Sequence, residues 1–292
     1  MKNYGTKALR NIALLGHQGS GKTTLSESLL YVSGGISKKG EVEKKSTKSD
    51  FLAEEHLRMS STQNALIPVL FNDCKLNFLD VPGNDELTNE LYHALEVVKG
   101  AVILLDATKG VEVGTELVWD EIRRRHIPSI IFVNKMDKEN IDFEKILEDI
   151  RNKLGKRAAP FAYPIGREED FEGFVNVVEM KARIYDGNSC VDAEIWDEKL
   201  PKVESLNEMI METVAETSEE LLEKYLGGEK ISMPEIKKAL HENILNGEII
   251  PVIVGSATKN IGVETLLNML IDYLPSPDEL KELEAKDTKT NE

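Results

Sequence analysis

Gly16-His17-Gln18-Gly19-Ser20-Gly21-Lys22-Thr23 fills every fixed position of the pattern G-x-x-x-x-G-K-[ST], and it lies between an apolar run and a helical one. Upstream, Asn11-Ile12-Ala13-Leu14-Leu15 reads as a short buried strand. Downstream, a helix is expected over 24–32, opening at Thr24, with Leu25, Leu29, Leu30 and Val32 on its apolar face. Glycines let backbone N–H groups approach phosphate oxygens, and the first helical turn adds the positive end of its dipole. In such a loop Lys22 reaches the β and γ phosphates and the Thr23 hydroxyl ligates Mg²⁺. The pattern leaves His17 and Gln18 free, so backbone is their expected contribution, within a nucleotide-binding loop that includes Ser20. A glycine-rich turn that only reverses the chain is the competing reading, and the strand and helix around it weigh against that.

A phosphate loop does not choose between ATP and GTP. Ile130-Ile131-Phe132-Val133 reads as a buried strand, followed directly by Asn134-Lys135-Met136-Asp137. Ligands of an open α/β sheet bind at that carboxyl end. N-K-x-D is a guanine-reading signature: the Asp137 carboxylate accepts from guanine N1–H and the exocyclic amine, a donor pair that adenine lacks. A later strand, 249–254, delivers Gly255-Ser256-Ala257, the G-S-A pattern in which a backbone N–H meets guanine O6. The third element is Asp80-Val81-Pro82-Gly83, after the alternating Leu76-Asn77-Phe78-Leu79. It has the D-x-x-G form of switch II, in which Asp80 holds Mg²⁺ through water and the Gly83 N–H contacts the γ-phosphate. A strand over 65–71 pairs with it through an Asn72-Asp73 turn.

Together these motifs resemble those of a translational GTPase, and the resemblance to the amino-terminal part of elongation factor G runs over nearly the whole chain. It is carried by Leu25-Ser26-Glu27-Ser28-Leu29-Leu30-Tyr31, Gly110-Val111-Glu112-Val113-Gly114-Thr115-Glu116, Leu221-Leu222-Glu223-Lys224-Tyr225-Leu226 and Asp272-Tyr273-Leu274-Pro275-Ser276-Pro277. The G-H-Q-G-S-G-K-T loop and Ser49-Asp50-Phe51 look like the second, divergent type of elongation factor G-like protein; tetracycline-resistance ribosomal protection proteins are the next resemblance. The implied fold is α/β, a P-loop NTPase with a mostly parallel central sheet flanked by helices, plus a small α+β inserted subdomain. The implied ligands are GTP or GDP with Mg²⁺.

Departures from the translocase pattern matter as much. Translocases carry D-T-P-G-H where this chain has Asp80-Val81-Pro82-Gly83-Asn84. The family's histidine positions the attacking water. Asn84 hydrogen-bonds water but carries no proton or charge at neutral pH, so hydrolysis by the catalytic group Lys22, Gly83 and Asn84 is expected to be slow. Gly19 stands in the place of a translocase aspartate. In switch I, Arg58-Met59-Ser60-Ser61-Thr62 replaces R-G-I-T-I; counting back from the next strand aligns Ser61 with the Mg²⁺-ligating threonine, and Thr62 is one position off. Thr23, Ser61 and Asp80 are the expected metal set, with loop hydroxyls free of any metal as the alternative at Ser61 and Thr62.

The chain has 292 residues, 41% hydrophobic and 30% charged, long enough for a full core and a second small unit. No run nears the ~18 apolar residues that span a bilayer. Cys74 and Cys190 have neither metal-site nor disulfide-framework spacing, which fits a reducing, cytoplasmic setting. The GTP-binding core is expected over 1–157 and 249–275, interrupted by an acidic subdomain over 158–248; 276–292 reads as a polar tail or linker. Strand-like pieces over 171–185 and helices over 202–225 and 233–245 make up the insertion. Residues 167–248 hold 21 acidic and 9 basic side chains, a net −12 of the whole chain's −16. Glu204, Glu208, Glu212, Glu216 and Glu220 repeat every four residues on the first helix, opposing one another by about 0.2 to 0.5 kcal/mol per pair. A solvated face is the plain account of that stripe. The resemblance implies a partner, the ribosomal stalk protein, with ribosomal RNA facing the basic switch I segment 38–48. So acidic a chain argues against DNA as partner. The expected state is a monomer.

Overall fold

The structure, a computed structural model, describes residues 3–84, 86, 88–187 and 190–279. The chain opens with β1 (Leu9–Leu15) and α1 (Lys22–Val32), then α2 (Ala53–Arg58), β2 (Ala65–Phe71), β3 (Cys74–Asp80) and α3 (Thr88–Val97). It continues through β4 (Gly100–Asp106), α4 (Val113–Arg124), β5 (Ser129–Asn134), α5 (Phe143–Lys153) and β6 (Ala158–Pro160). Next come β7 (Ala162–Ile165), β8 (Gly173–Asn176), β9 (Lys181–Tyr185) and β10 (Cys190–Ala193). The last elements are α6 (Leu200–Ala215), α7 (Glu219–Leu226), α8 (Met233–Leu245), β11 (Ile250–Val254) and α9 (Val263–Tyr273).

Seven strands form the main sheet in the order β2-β3-β1-β4-β5-β11-β6, parallel except for the antiparallel β2–β3 hairpin. All seven residues of β4 are buried, as expected of an apolar run covered by helices on both faces. Edge strand β2 alternates instead, leaving Leu66 and Leu70 exposed, and tolerates Pro68 because only β3 pairs with it. Asn72 and Asp73 both take positive φ in the hairpin turn. Because β1, β5 and β11 run parallel, the loops that follow them meet at the carboxyl end of the sheet.

The insertion forms a four-stranded antiparallel sheet, β10-β9-β8-β7, followed by α6 to α8. Its residues Val203, Ile210, Ile236 and Leu240 join the same buried cluster as the main sheet. The expected boundary at 158 needs correction: Ala158–Pro160 pair with Ile250, Pro251 and Val252 of β11 and complete the main sheet. The helix expected over 202–225 is two helices. Ser218 is extended, and its hydroxyl accepts from the Leu221 N–H at 3.3 Å, starting α7 afresh. The glutamate stripe is thereby divided: Glu216 ends α6, and Glu220 belongs to α7 and pairs with Lys224 at 2.8 Å. At the start of α8, Ser232 is the N-cap, with Pro234 in the first turn and Glu235 accepting from the Ser232 N–H at 2.9 Å. Of the expected tail, Ser276 is buried and Glu279 accepts from its N–H at 2.6 Å; residues 280–292 lie outside the described residues.

Candidate nucleotide site

The loop after β1 is locked from within. Lys22 is buried, and its ammonium donates to Gly16 O at 2.8 Å and His17 O at 3.1 Å. Burial lowers its pKa from 10.5 to about 8, with the Asp80 charge pulling it back up. Gly21 has φ +99°, and a Cβ there would collide with the Asn134 side-chain amide. That amide fixes the base side of the site, since Asn134 Nδ2 donates to Ser20 O at 2.9 Å while its Oδ1 accepts from the Ala257 N–H at 2.9 Å. Lys135 adds a second tie, donating to Gly19 O at 2.8 Å and to Asp106 Oδ2 at 2.6 Å. The three loops after β1, β5 and β11 are thus bound to one another. Asp137, one turn residue beyond Met136, has its carboxylate 4.0 Å from Lys138 Nζ.

Switch II crosses the phosphate loop at van der Waals range. A Cβ at Gly83 would collide with Lys22 Nζ and stand 2.8 Å from Gly16 O, so only glycine permits this approach. Asp80 ends β3 fully buried, and neither carboxylate oxygen has a hydrogen-bond partner among the described residues. Burial raises its pKa from 3.8 to about 6; Lys22 opposes the rise and Asp50 adds to it. Asn84 Oδ1 accepts from the Glu86 N–H at 3.1 Å, and the side chain lines a cavity of about 90 Å³ with Gly16 and Val81.

In switch I, Ser61 and Thr62 face different ways. Ser61 Oγ lies 3.2 Å from Thr23 Oγ1 and donates to Asp50 Oδ1 at 2.7 Å. Thr62 turns away, its N–H donating to Glu55 Oε1 at 3.0 Å. Asp50 is buried, and burial raises its pKa. Two hydroxyls and two carboxyls, one of them with unpartnered buried oxygens, form an all-oxygen set suited to a hard cation such as Mg²⁺.

Several participants are invisible to motif reading. Gln18 uses its side chain, donating to Ser60 Oγ at 3.3 Å, and His17 Nε2 sits 3.5 Å from Glu112 Oε1. Asp106, buried at the end of β4, accepts from Lys135 and from Thr108; its place at the carboxyl end of an apolar strand was the available signal. Glu27 and Glu55 are buried carboxylates whose hydrogen bonds, among the described residues, come from backbone and hydroxyl donors of switch I. Glu27 takes the N–H groups of Gly40 and Lys48, and Glu55 those of Phe51, Leu52 and Thr62.

Residues 7–276 match the family model described as the elongation factor Tu GTP binding domain. A crystal structure of a protein from Thermus thermophilus is similar at a TM-score of 0.88 and 36% sequence identity, over 94% of this chain and 41% of that one. The chain therefore spans less than half the length of that relative. With a phosphate loop, an N-K-x-D loop and a D-x-x-G segment converging at the carboxyl end of the sheet, the chain belongs to the elongation factor Tu GTP-binding domain family.

Proposed function

We propose that this chain is the nucleotide-switch domain of an elongation factor G-like translation factor of the divergent second type, binding GTP and GDP and hydrolysing GTP slowly. The observation that carries the nucleotide reading is the Asn134 amide, which joins phosphate-loop carbonyl Ser20 O to the 255–257 loop through Ala257 N–H. Phosphate and base sites are then a single rigid cradle. Phosphoryl transfer depends on positioning and charge rather than on covalent protein chemistry. Backbone N–H groups of 16–24 and the Lys22 ammonium would face the β and γ phosphates, and the Gly83 N–H the γ-phosphate. Asp137 would accept from guanine N1–H and the exocyclic amine. Thr23, Ser61 and Asp80 would hold Mg²⁺, which supplies positive charge to the phosphate oxygens. Loss of the γ-phosphate would release Gly83 and Ser61 together.

A second reading, a GTP-dependent ribosome-binding module with negligible turnover, is favoured by Asn84. Its Oδ1 is engaged by its own turn, and an amide brings no charge to the transition state. Phosphate release with and without ribosomes separates the two. On the ribosome, the exposed glutamates of α6 would serve the stalk protein and the basic residues of 38–48 the ribosomal RNA, in the cytoplasm and as a monomer. No described helix is long and apolar enough to cross a membrane. The test of the nucleotide reading is a competition titration: the chain prefers guanine over adenine nucleotides, and Asp137→Asn moves preference toward xanthine nucleotides. Equal affinity for GTP and ATP would refute it.

A further inference from the structure

The last residue before the Glu27-pinned part of switch I makes a contact that the switch itself does not require. Lys39 Nζ donates to Ala257 O at 2.9 Å, to Thr258 O at 2.7 Å and to Asn260 Oδ1 at 2.9 Å, with Ser28 Oγ at 3.4 Å. An ammonium has three protons, and three acceptors on one loop take them. That loop, 256–260, follows β11 and holds the Ser256-Ala257 pair. The other hold on the same carbonyl comes from α1, where Ser28 Oγ lies 2.6 Å from Ala257 O but also 2.9 Å from Thr24 O. Ser28 and Lys39 share that carbonyl, and Lys39 reaches on to Thr258 O and Asn260 Oδ1.

The neighbouring contacts give this tie a direction. Gly40, the next residue, donates its N–H to Glu27 Oε2 at 2.9 Å, and Glu27 also takes the Lys48 N–H. Glu27 and Ser28 are buried on α1, the helix that begins at Lys22 and Thr23. With switch I lying on α1, Lys39 is delivered to the base loop; a segment lifted from α1 would take the ammonium with it. Burial lowers the Lys39 pKa while Glu41 and Glu27 oppose the drop.

We propose that Lys39 is a specificity-positioning residue, a switch I lysine that holds the 256–260 loop in place to read purine position 6, so that base discrimination depends on switch I being docked. The proposal rests on the guanine-nucleotide reading above and assigns it a dependence that the recognition loops alone would not have. Asp137 reads the other edge of the base and needs no help from Lys39.

The test is equilibrium titration of the unaltered chain, Lys39→Met and Asn260→Ala with GTP, 6-thio-GTP, ITP and ATP. Methionine keeps the stem and removes the donors. In Lys39→Met, GTP affinity should fall about tenfold and 6-thio-GTP affinity less than about twofold, the scale of a lost charged hydrogen-bond donor. The preference for GTP over 6-thio-GTP therefore narrows, while the preference for GTP over ITP, set by the 2-amino group, stays. Asn260→Ala, which removes one acceptor, should shift the same ratio in the same direction by less. An unchanged GTP to 6-thio-GTP ratio in Lys39→Met overturns the proposal, whether or not overall affinity falls. Equal binding of GTP and ATP by the unaltered chain is a different failure, that of the guanine reading itself.

Discussion

Replacing Asp80 with asparagine should stabilise the ligand-free protein while damaging its nucleotide site. Both Asp80 oxygens are buried without hydrogen-bond partners among the described residues, and burial raises the carboxyl from 3.8 to about 6, against the pull of Lys22. A raised folded-state pKa means that folding favours the protonated form. The favourable state is fully present below the unfolded value and is lost as pH rises through about 6. At pH ~7.5 the buried charge costs about 3 kcal/mol relative to the protonated acid, and at pH ~5 about half of that. Asp80→Asn removes the charge, but it also removes the attraction to Lys22 and buries an amide with few partners. We therefore expect a net gain of about 1 to 2 kcal/mol at neutral pH, or a Tm higher by about 2 to 8 °C for a chain of this size. Thermal melts of the ligand-free variant and parent at neutral pH and at pH ~4 read this directly, because the gap should close on acidification. With GDP and Mg²⁺ added the order should reverse, since the parent alone gains the full linkage to ligand. A ligand-free variant less stable than the parent at neutral pH, or a gap insensitive to pH, would show that the Asp80 carboxylate is not strained by burial.

Two further outcomes follow from the same geometry. Lys22→Ala and Thr23→Ala should fail differently: both weaken GTP binding, but chelating magnesium should weaken it further only where Thr23 remains, so equal sensitivity of the Thr23 variant and the parent in a titration with and without chelator would remove the threonine from the metal set. Ser218→Ala deletes the hydroxyl that caps α7 and should lower stability by about 1 kcal/mol, about 2 to 4 °C in Tm, with GDP affinity unchanged; an unaltered Tm would mean that the break between α6 and α7 is held by packing instead.

What was legible in the sequence is what depends on local backbone. Gly16 to Thr23 requires glycine at positive φ and a strand–loop–helix setting, and both can be read within a short window around the loop. The strands before Asn134 and Gly255 are buried apolar runs, whose length and ends the sequence marks well. The misreadings have local causes too. Ala158–Pro160 is too short to show a period, and its membership of the main sheet comes from pairing with β11, which arrives only after the whole insertion. The helix break at Ser218 was hidden because glutamates and leucines keep a helical rhythm on both sides, while a serine hydroxyl capping Leu221 N–H decides the geometry.

Side chains that act at a distance were not legible, and they explain how switch I is held in place without the orthodox switch I sequence. In place of R-G-I-T-I, the segment is held by buried carboxylates: Glu27 from α1 takes Gly40 and Lys48, and Glu55 takes Phe51, Leu52 and Thr62. Glu55 also settles which hydroxyl faces the phosphate loop, because engaging the Thr62 N–H turns that residue away and leaves Ser61 beside Thr23. No spacing rule could supply this, since the residues involved are separated by up to 38 positions and each alone is an ordinary acidic or hydroxyl residue. The Gly40 and Lys48 part of switch I is thus held by the same helix that carries Lys22 and Thr23. A ligand that reshaped the start of α1 would act on the phosphate loop, the segment pinned by Glu27 and the 255–257 loop contacted by Ser28 through one element, the physical requirement for the switch proposed above.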